Sequence, residues 1–262
     1  MTKAGGVEVE QSNISLEGKV CLITGGARGI GAAVARAVAA QGALVAINFL
    51  HSQKEAMKLV EELQQKGHKA LALQADISRE EEVSRLFGEL RKAWGEVELL
   101  VNNAGVALRT LVQETTVSEW DRVMNVNLKG AFLCCREALP HMIRKRYGRI
   151  VNIASIQGIS GASYESVYAA SKGGLIAFTK SLASEVGPSG ITVNAIAPGP
   201  VATEMIFSQL DEEDIKILLD EIPSGRMMQP EEIADTCLFL LSSQAACINA
   251  QVLCLDGGWR QN

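Results

Sequence analysis

The feature that most restricts the fold of this chain is a repeated alternation. From Lys19 onward, short continuous apolar runs are separated by stretches with helical periodicity. The runs at 20–24, 44–49, 70–75, 97–101, 149–154, 191–196 and 251–255 read as strands. Helical patterns lie at 30–41, 53–66, 79–94, in a long region ending near Arg146, at 164–186 and at 230–241. Strands that are apolar without alternation must be covered on both faces, and intervening helices make the connections crossovers. The expectation is an α/β fold, a doubly wound, seven-stranded parallel sheet with helices on both faces.

No linker or compositional break divides the chain, so one domain is expected over 18–262. Residues 1–17 are polar and glycine-containing, without a hydrophobic signal core, and read as a loose N-terminal arm. Between Ala202 and Arg226 the pattern is less regular and carries the acidic cluster Asp211, Glu212, Glu213 and Asp214. Such a segment, beyond the strand ends, is either a substrate lid or a plain surface excursion.

Charge and cysteine usage exclude several functions. With 25 Lys and Arg against 30 Asp and Glu, the net charge of −5 supports neither nucleic-acid nor membrane-surface binding. The basic run Arg144-Lys145-Arg146 falls at a helix end, where the dipole favours cations. No apolar run approaches the roughly 18 residues that cross a bilayer. The six cysteines, at 21, 134, 135, 237, 247 and 254, form no Cys-x-x-Cys or Cys/His cluster. They read as reduced core cysteines of a cytoplasmic protein. His51, His68 and His141 stand far apart without ligand-spaced partners, so no metal is expected. No Gly-x-Ser-x-Gly elbow supports a hydrolase.

The stretch Thr24-Gly25-Gly26-Ala27-Arg28-Gly29-Ile30-Gly31 follows the first strand and opens the first helix. Glycines there allow a sharp turn and close approach to a pyrophosphate, which then lies on the helix N-terminus. Its spacing, Gly-x-x-x-Gly-x-Gly, differs from the dinucleotide fingerprint Gly-x-Gly-x-x-Gly. Far downstream, Tyr168 and Lys172 stand at i and i+4, on one helix face. An ammonium beside a phenol favours the phenolate, so the pKa of Tyr168 is expected to fall from about 10. A phenol so tuned exchanges a proton with a substrate oxygen.

With Asn102-Asn103-Ala104-Gly105, Ser155 and Tyr168-x-x-x-Lys172, this loop resembles the short-chain dehydrogenase/reductase family, whose fold is a Rossmann domain. The resemblance spans about Leu16 to Trp259. It is closest to the 3-oxoacyl-[acyl-carrier-protein] reductases, through Ile222-Pro223-x-Gly225-Arg226-Met227-x-Gln229-Pro230 and the terminal Asp256-Gly257-Gly258. The resemblance implies Tyr168 as general acid in carbonyl reduction and base in the reverse direction. Lys172 would lower its pKa and bind the nicotinamide ribose. Ser155 would polarise the substrate oxygen, and Asn127 would hold a water in the proton relay behind Lys172. Tyr164 would form a pocket wall.

For the cofactor it implies Gly25, Gly29, Ile30 and Gly31 under the phosphates, and Asp76 and Ile77 at the adenine. Asn103 would line the adenosine side or brace the sheet. Pro198, Gly199, Val201 and Thr203 would meet the carboxamide. NAD-dependent members usually end the second strand with an Asp. Phe49 stands there instead, while Arg28, His51 and Ser52 are placed to meet a 2′-phosphate, so NADP(H) is favoured over NAD(H).

The implied activity is reduction of a carbonyl to a secondary alcohol, with a 3-oxoacyl thioester of acyl carrier protein or coenzyme A as substrate, in fatty acid biosynthesis. The positions matching the arginines that dock acyl carrier protein are Leu133 and Ser189, neither basic. An NAD-dependent sugar or secondary-alcohol dehydrogenase, and a non-catalytic dinucleotide sensor, are the alternatives. The family pairs the helices at 132–144 and 166–184 between subunits, which implies a homotetramer.

Overall fold

The computed structural model describes residues 14–208 and 210–259. Residues 1–13 of the expected arm lie outside the described residues. The remainder of that arm is packed: Ile14 rests on the core, and Leu16 is buried with its N–H donating to Gln41 O at 2.9 Å.

Seven strands form one all-parallel sheet: β1 (Val20–Ile23), β2 (Leu44–Phe49), β3 (Ala70–Gln74), β4 (Leu99–Asn102), β5 (Gly148–Ile153), β6 (Ile191–Pro198) and β7 (Val252–Leu255). Their order is β3-β2-β1-β4-β5-β6-β7. The helices are α1 (Gly29–Ala40), α2 (Gln53–Gln65), α3 (Glu80–Ala93), α4 (Val117–Met124), α5 (Gly130–Lys145), α6 (Gln157–Ser160), α7 (Ser166–Val186), α8 (Glu204–Phe207), α9 (Glu212–Glu221) and α10 (Pro230–Leu241).

The unalternated apolar strands serve two separate cores. Cys21 and Ile23 of β1 face α1 and α10, packing with Val34, Val38, Ile233 and Leu240. Val20 and Leu22 point the other way, toward Leu86 of α3, Leu133 and Met142 of α5, and Leu182 of α7. Alternate residues of β1 thus enter opposite cores, which is why this strand is apolar without alternation. The alanines of α1 let it sit close to the sheet.

β1 pairs with β2 through Cys21↔Val45 and with β4 through Cys21↔Leu99. Connections therefore leave β1 in opposite directions, and a crevice opens beyond the carboxyl ends of the strands at this reversal. The long helical region expected to end near Arg146 is broken up. Thr116 caps α4 through a capping box with Glu119. Residues 125–129 then form a π-helical turn before α5. The irregular segment from Ala202 holds two helices, α8 and α9.

The six cysteines divide: Cys21, Cys134, Cys135 and Cys237 are buried, whereas Cys247 and Cys254 are exposed. The reading of all six as core residues fails for those two. Cys254 lies on the edge strand β7, between Leu253 and Leu255, which pack against the core while its own side chain points away. No helix among the described residues is long and apolar enough to cross a membrane.

Candidate active site

A cleft of about 910 Å³ lies across the carboxyl ends of the strands, from the loop after β1 to the start of α7. Its size suits a sizeable ligand. At one end the chain leaves β1 with Gly25 at φ 59° and Gly29 at φ 52°. A Cβ on Gly25 would lie 2.8 Å from Ala104 Cα, and one on Gly31 would lie 2.6 Å from both Asn103 Nδ2 and Gly25 O. Only glycine permits this approach. Asn103 fastens the turn, its Nδ2 donating to Thr24 O at 3.0 Å and Gly25 O at 2.9 Å. Gly25, Arg28, Gly29 and Ile30 line the cleft, whereas Gly31 sits behind them as a packing position.

Arg28 reaches over the mouth to α8, where Nη1 lies 3.2 Å from Glu204 Oε2. At the end of β2, Phe49, His51 and Ser52 line the wall. Asn48 is buried there, its Oδ1 accepting from Gly25 N at 3.4 Å and its Nδ2 donating to Ala75 O at 3.0 Å. Asp76 and Ile77 follow β3 on the same wall, and Asp76 Oδ1 accepts from the N–H and hydroxyl of Ser78. Pro198, Gly199, Val201 and Thr203 continue the lining from β6. Thr203 Cγ2 stands 3.4 Å from where a Gly29 Cβ would be, so this segment lies over the glycine turn.

At the other end, Ser155 follows β5 while Tyr168 and Lys172 project from the first turns of α7. Ser155 Oγ donates to Gln157 Oε1 at 3.0 Å and accepts from Gln157 N at 3.2 Å. Lys172 is buried, and its Nζ donates to Ile153 O at 2.7 Å. That bond aims the ammonium at the strand end, 5.8 Å from the centre of the Tyr168 ring.

The phenol is not lowered as the sequence spacing suggests. Burial pushes Tyr168 up to about 12, with a hydrogen bond to Ser155 pulling down and the charge of Glu165 pushing up. Burial also brings Lys172 down to about 8. Desolvation of both groups outweighs their mutual attraction, because the ammonium is turned toward a carbonyl.

Asn127 sits in the π-helical turn, fully buried, and does not line the cleft. Its Oδ1 accepts from Val106 N at 2.8 Å, and its Nδ2 donates to Val106 O at 2.9 Å and Ser171 Oγ at 3.0 Å. Asn127 Oδ1 and Lys172 Nζ would each lie 3.4 Å from a Cβ on Gly105, so the two converge on that glycine. The π turn gives the segment an extra residue and aims Asn127 inward.

Tyr164 is not on α7. It precedes the helix with φ 63°, its side chain is exposed, and its neighbours Ser163 and Glu165 line the cleft instead. The expected pocket wall is therefore not Tyr164. The Thr110 N–H donates to Tyr164 O at 2.7 Å, and the carbonyl turned to meet it places the side chain outward. Gln157, Glu165 and Glu204 were not anticipated. A polar residue two positions after Ser155 and an acid three before Tyr168 were the available signals. Leu133 is buried in the core. No cluster of His, Cys, Asp or Glu among the described residues could hold a metal ion.

A strand-end cleft with a glycine-rich turn at one end and a Ser, Tyr and Lys set at the other defines a dinucleotide-dependent oxidoreductase. The chain belongs to the short-chain dehydrogenase/reductase family and is a nicotinamide-dependent dehydrogenase or reductase. The family profile that matches, over residues 25–260, is described as enoyl-(acyl carrier protein) reductase. The chain is 39% identical to the 3-oxoacyl-[acyl-carrier-protein] reductase of Staphylococcus aureus, over 92% of this chain and 97% of that one. It is 38% identical to the (2S)-[(R)-hydroxy(phenyl)methyl]succinyl-CoA dehydrogenase subunit of Thauera aromatica, over 94% and 98%. A crystal structure assigned as a gluconate dehydrogenase from Agrobacterium tumefaciens matches with a TM-score of 0.90 at 34% identity, covering 94% of this chain and 97% of that one.

Proposed function

We propose that this chain is an NADP(H)-dependent reductase that converts a 3-oxoacyl thioester, of acyl carrier protein or coenzyme A, to the 3-hydroxyacyl form. The observation that carries the reading is continuity. One cleft joins the glycine turn to Ser155, Tyr168 and Lys172 without a break. Two relatives named for thioester substrates, at 39% and 38% identity, support the substrate class.

The residues present fit a dinucleotide. Gly25, Gly29 and the N-terminus of α1 would hold the pyrophosphate, where helix N–H groups and a bare backbone favour an anion. Asp76 and Ile77 would hold the adenine, and Val201 and Thr203 the carboxamide. No carboxylate lines the end of β2, where a ribose 2′-hydroxyl would need an acceptor. A dianionic 2′-phosphate would compete with the single carboxylate of Glu204 for the Arg28 guanidinium. His51 and Ser52 would complete that subsite.

When bound, the nicotinamide ring supplies or accepts the hydride. Tyr168, held near 12, keeps its proton at neutral pH and can give it to the substrate oxygen as charge develops there. Ser155 donates a hydrogen bond to that same oxygen. Lys172 would hold the ribose and, by its charge, make the departing proton easier to release. Asn127, buried beside Gly105 and Lys172, would hold the water of the proton relay. Cytoplasmic residence and a homotetramer built on α5 and α7 complete the proposal.

The test is a fluorescence titration of the purified protein with NADPH and NADH, beside Arg28→Ala. A preference for NADPH of tenfold or more, about 1.4 kcal/mol, that shrinks in the variant is the expected result. Equal binding, or a preference for NADH, removes the 2′-phosphate assignment and favours an alcohol or sugar dehydrogenase.

A further inference from the structure

We propose that Gln157 selects the substrate by reading a second hydrogen-bonding group beside the reacting carbonyl. This rests on the carbonyl-reductase reading above and deepens it.

Gln157 opens α6 two residues after Ser155 and lines the cleft, half-buried. Its Oε1 is a carbonyl oxygen accepting the Ser155 hydroxyl at 3.0 Å. That hydroxyl is the donor a substrate carbonyl needs, so the glutamine amide occupies the bond that the substrate oxygen must take. The Gln157 N–H stays on Ser155 Oγ at 3.2 Å and fixes where the serine points. When a ketone takes the Ser155 proton, the Gln157 carboxamide loses its only side-chain partner. Among the described residues its Nε2 makes no hydrogen bond. An acceptor and two donors are then left at the cleft wall, next to the reacting carbon.

What flanks that carbon decides the outcome. A plain alkyl group would bury the amide unpaired, and unpaired polar groups are rejected more strongly than missing methylenes. A second carbonyl or a hydroxyl, one or two carbons away, would satisfy it. The favoured class is therefore a carbonyl flanked by a second oxygen function. A 3-oxoacyl thioester and an α-hydroxy ketone both belong to it. Ile206, Leu218 and Trp259 also line the cleft and offer apolar surface to the rest of the substrate.

The experiment measures kcat and KM with NADPH for three ketones: S-acetoacetyl-N-acetylcysteamine, hydroxyacetone and 2-pentanone. Wild type is compared with Gln157→Met, of similar volume, and with Gln157→Ala, which keeps the backbone N–H on Ser155. The expected result is a flanked-to-plain ratio of kcat/KM that falls roughly 10–100-fold in both variants. The loss should appear mainly in KM for the flanked ketone. A ratio that does not move, or an equal fall for flanked and plain ketones, overturns the proposal and leaves Gln157 a positioning residue for Ser155. If hydroxyacetone alone is turned over and depends on Gln157, the selection stands and the thioester reading falls. If the thioester is turned over with an unmoved ratio, the thioester reading stands and the selection falls. A wild type inactive on all three overturns both.

Discussion

Lys172 carries a cost that a pH series can read. Its ammonium is buried with one hydrogen bond, to Ile153 O, and burial holds its pKa at about 8 against an ordinary 10.5. The folded pKa is the lower one, so the unfolded chain binds the extra proton between about pH 8 and 10.5. Below that window both states are charged and the full penalty, about 3 kcal/mol, weighs on the fold. As pH rises through the window the folded amine goes neutral first, and stability recovers. From pH 7 to pH 9.5 the recovery is about 2 kcal/mol. Lys172→Met has no such group, though it leaves Ile153 O without its donor. Urea unfolding of both proteins at the two pH values isolates the effect, because other groups titrate alike in each. The wild type should gain about 2 kcal/mol relative to Lys172→Met on going to pH 9.5. A gap that stays constant, or moves in the opposite sense, refutes the argument that desolvation dominates at this lysine.

Two further outcomes follow from the interior. Asn152 accepts from Asn102 Nδ2 and donates to Thr179 Oγ1, both at 2.8 Å, while Asn102 Oδ1 lacks a partner among the described residues. Asn152→Ala should cost about 3 kcal/mol in denaturant unfolding, and a loss under about 1 kcal/mol would show the network to be dispensable. In a thiol titration of the native protein only Cys247 and Cys254 should react promptly, with the other four appearing on unfolding. Cys254 should be the slower of the two, because burial and the Asp256 charge raise its pKa. Prompt reaction of more than two thiols would contradict the burial of Cys21, Cys134, Cys135 and Cys237.

The sheet could be read from the sequence because its signal is period and length. The strands are mainly apolar on both faces, and the longer helices that cover the sheet bury one side. The glycine turn was legible for a similar reason, since residues without a side chain at fixed spacing leave a trace in the letters. What escaped depended on backbone details with no such trace. The π-helical turn at 125–129 looks like ordinary helix. The positive φ of Tyr164 reverses where that side chain points, and φ is invisible in a tyrosine. The pairing of Arg28 with Glu204 joins residues 176 apart, and only the folded topology brings them together. The sense of the Tyr168 shift escaped because spacing gives proximity but not orientation. Lys172 turns to Ile153, and that one rotamer decides which physical effect wins.

The position of β1 inside the sheet, between β2 and β4, has a consequence for how the chain comes off the ribosome. β1 is made first, but one of its edges is completed only by β4, where Thr24 N–H and Oγ–H reach Val101 O, 77 residues later. Until then an apolar strand carries a row of unpaired amides and carbonyls, the kind of edge that recruits other chains. Pairing at that distance in sequence is slow, because the loop must close before any contact rewards it. Until β4 is made, the nascent N-terminal half therefore presents, at the strand that leads into the glycine turn, an open edge of the kind that favours aggregation.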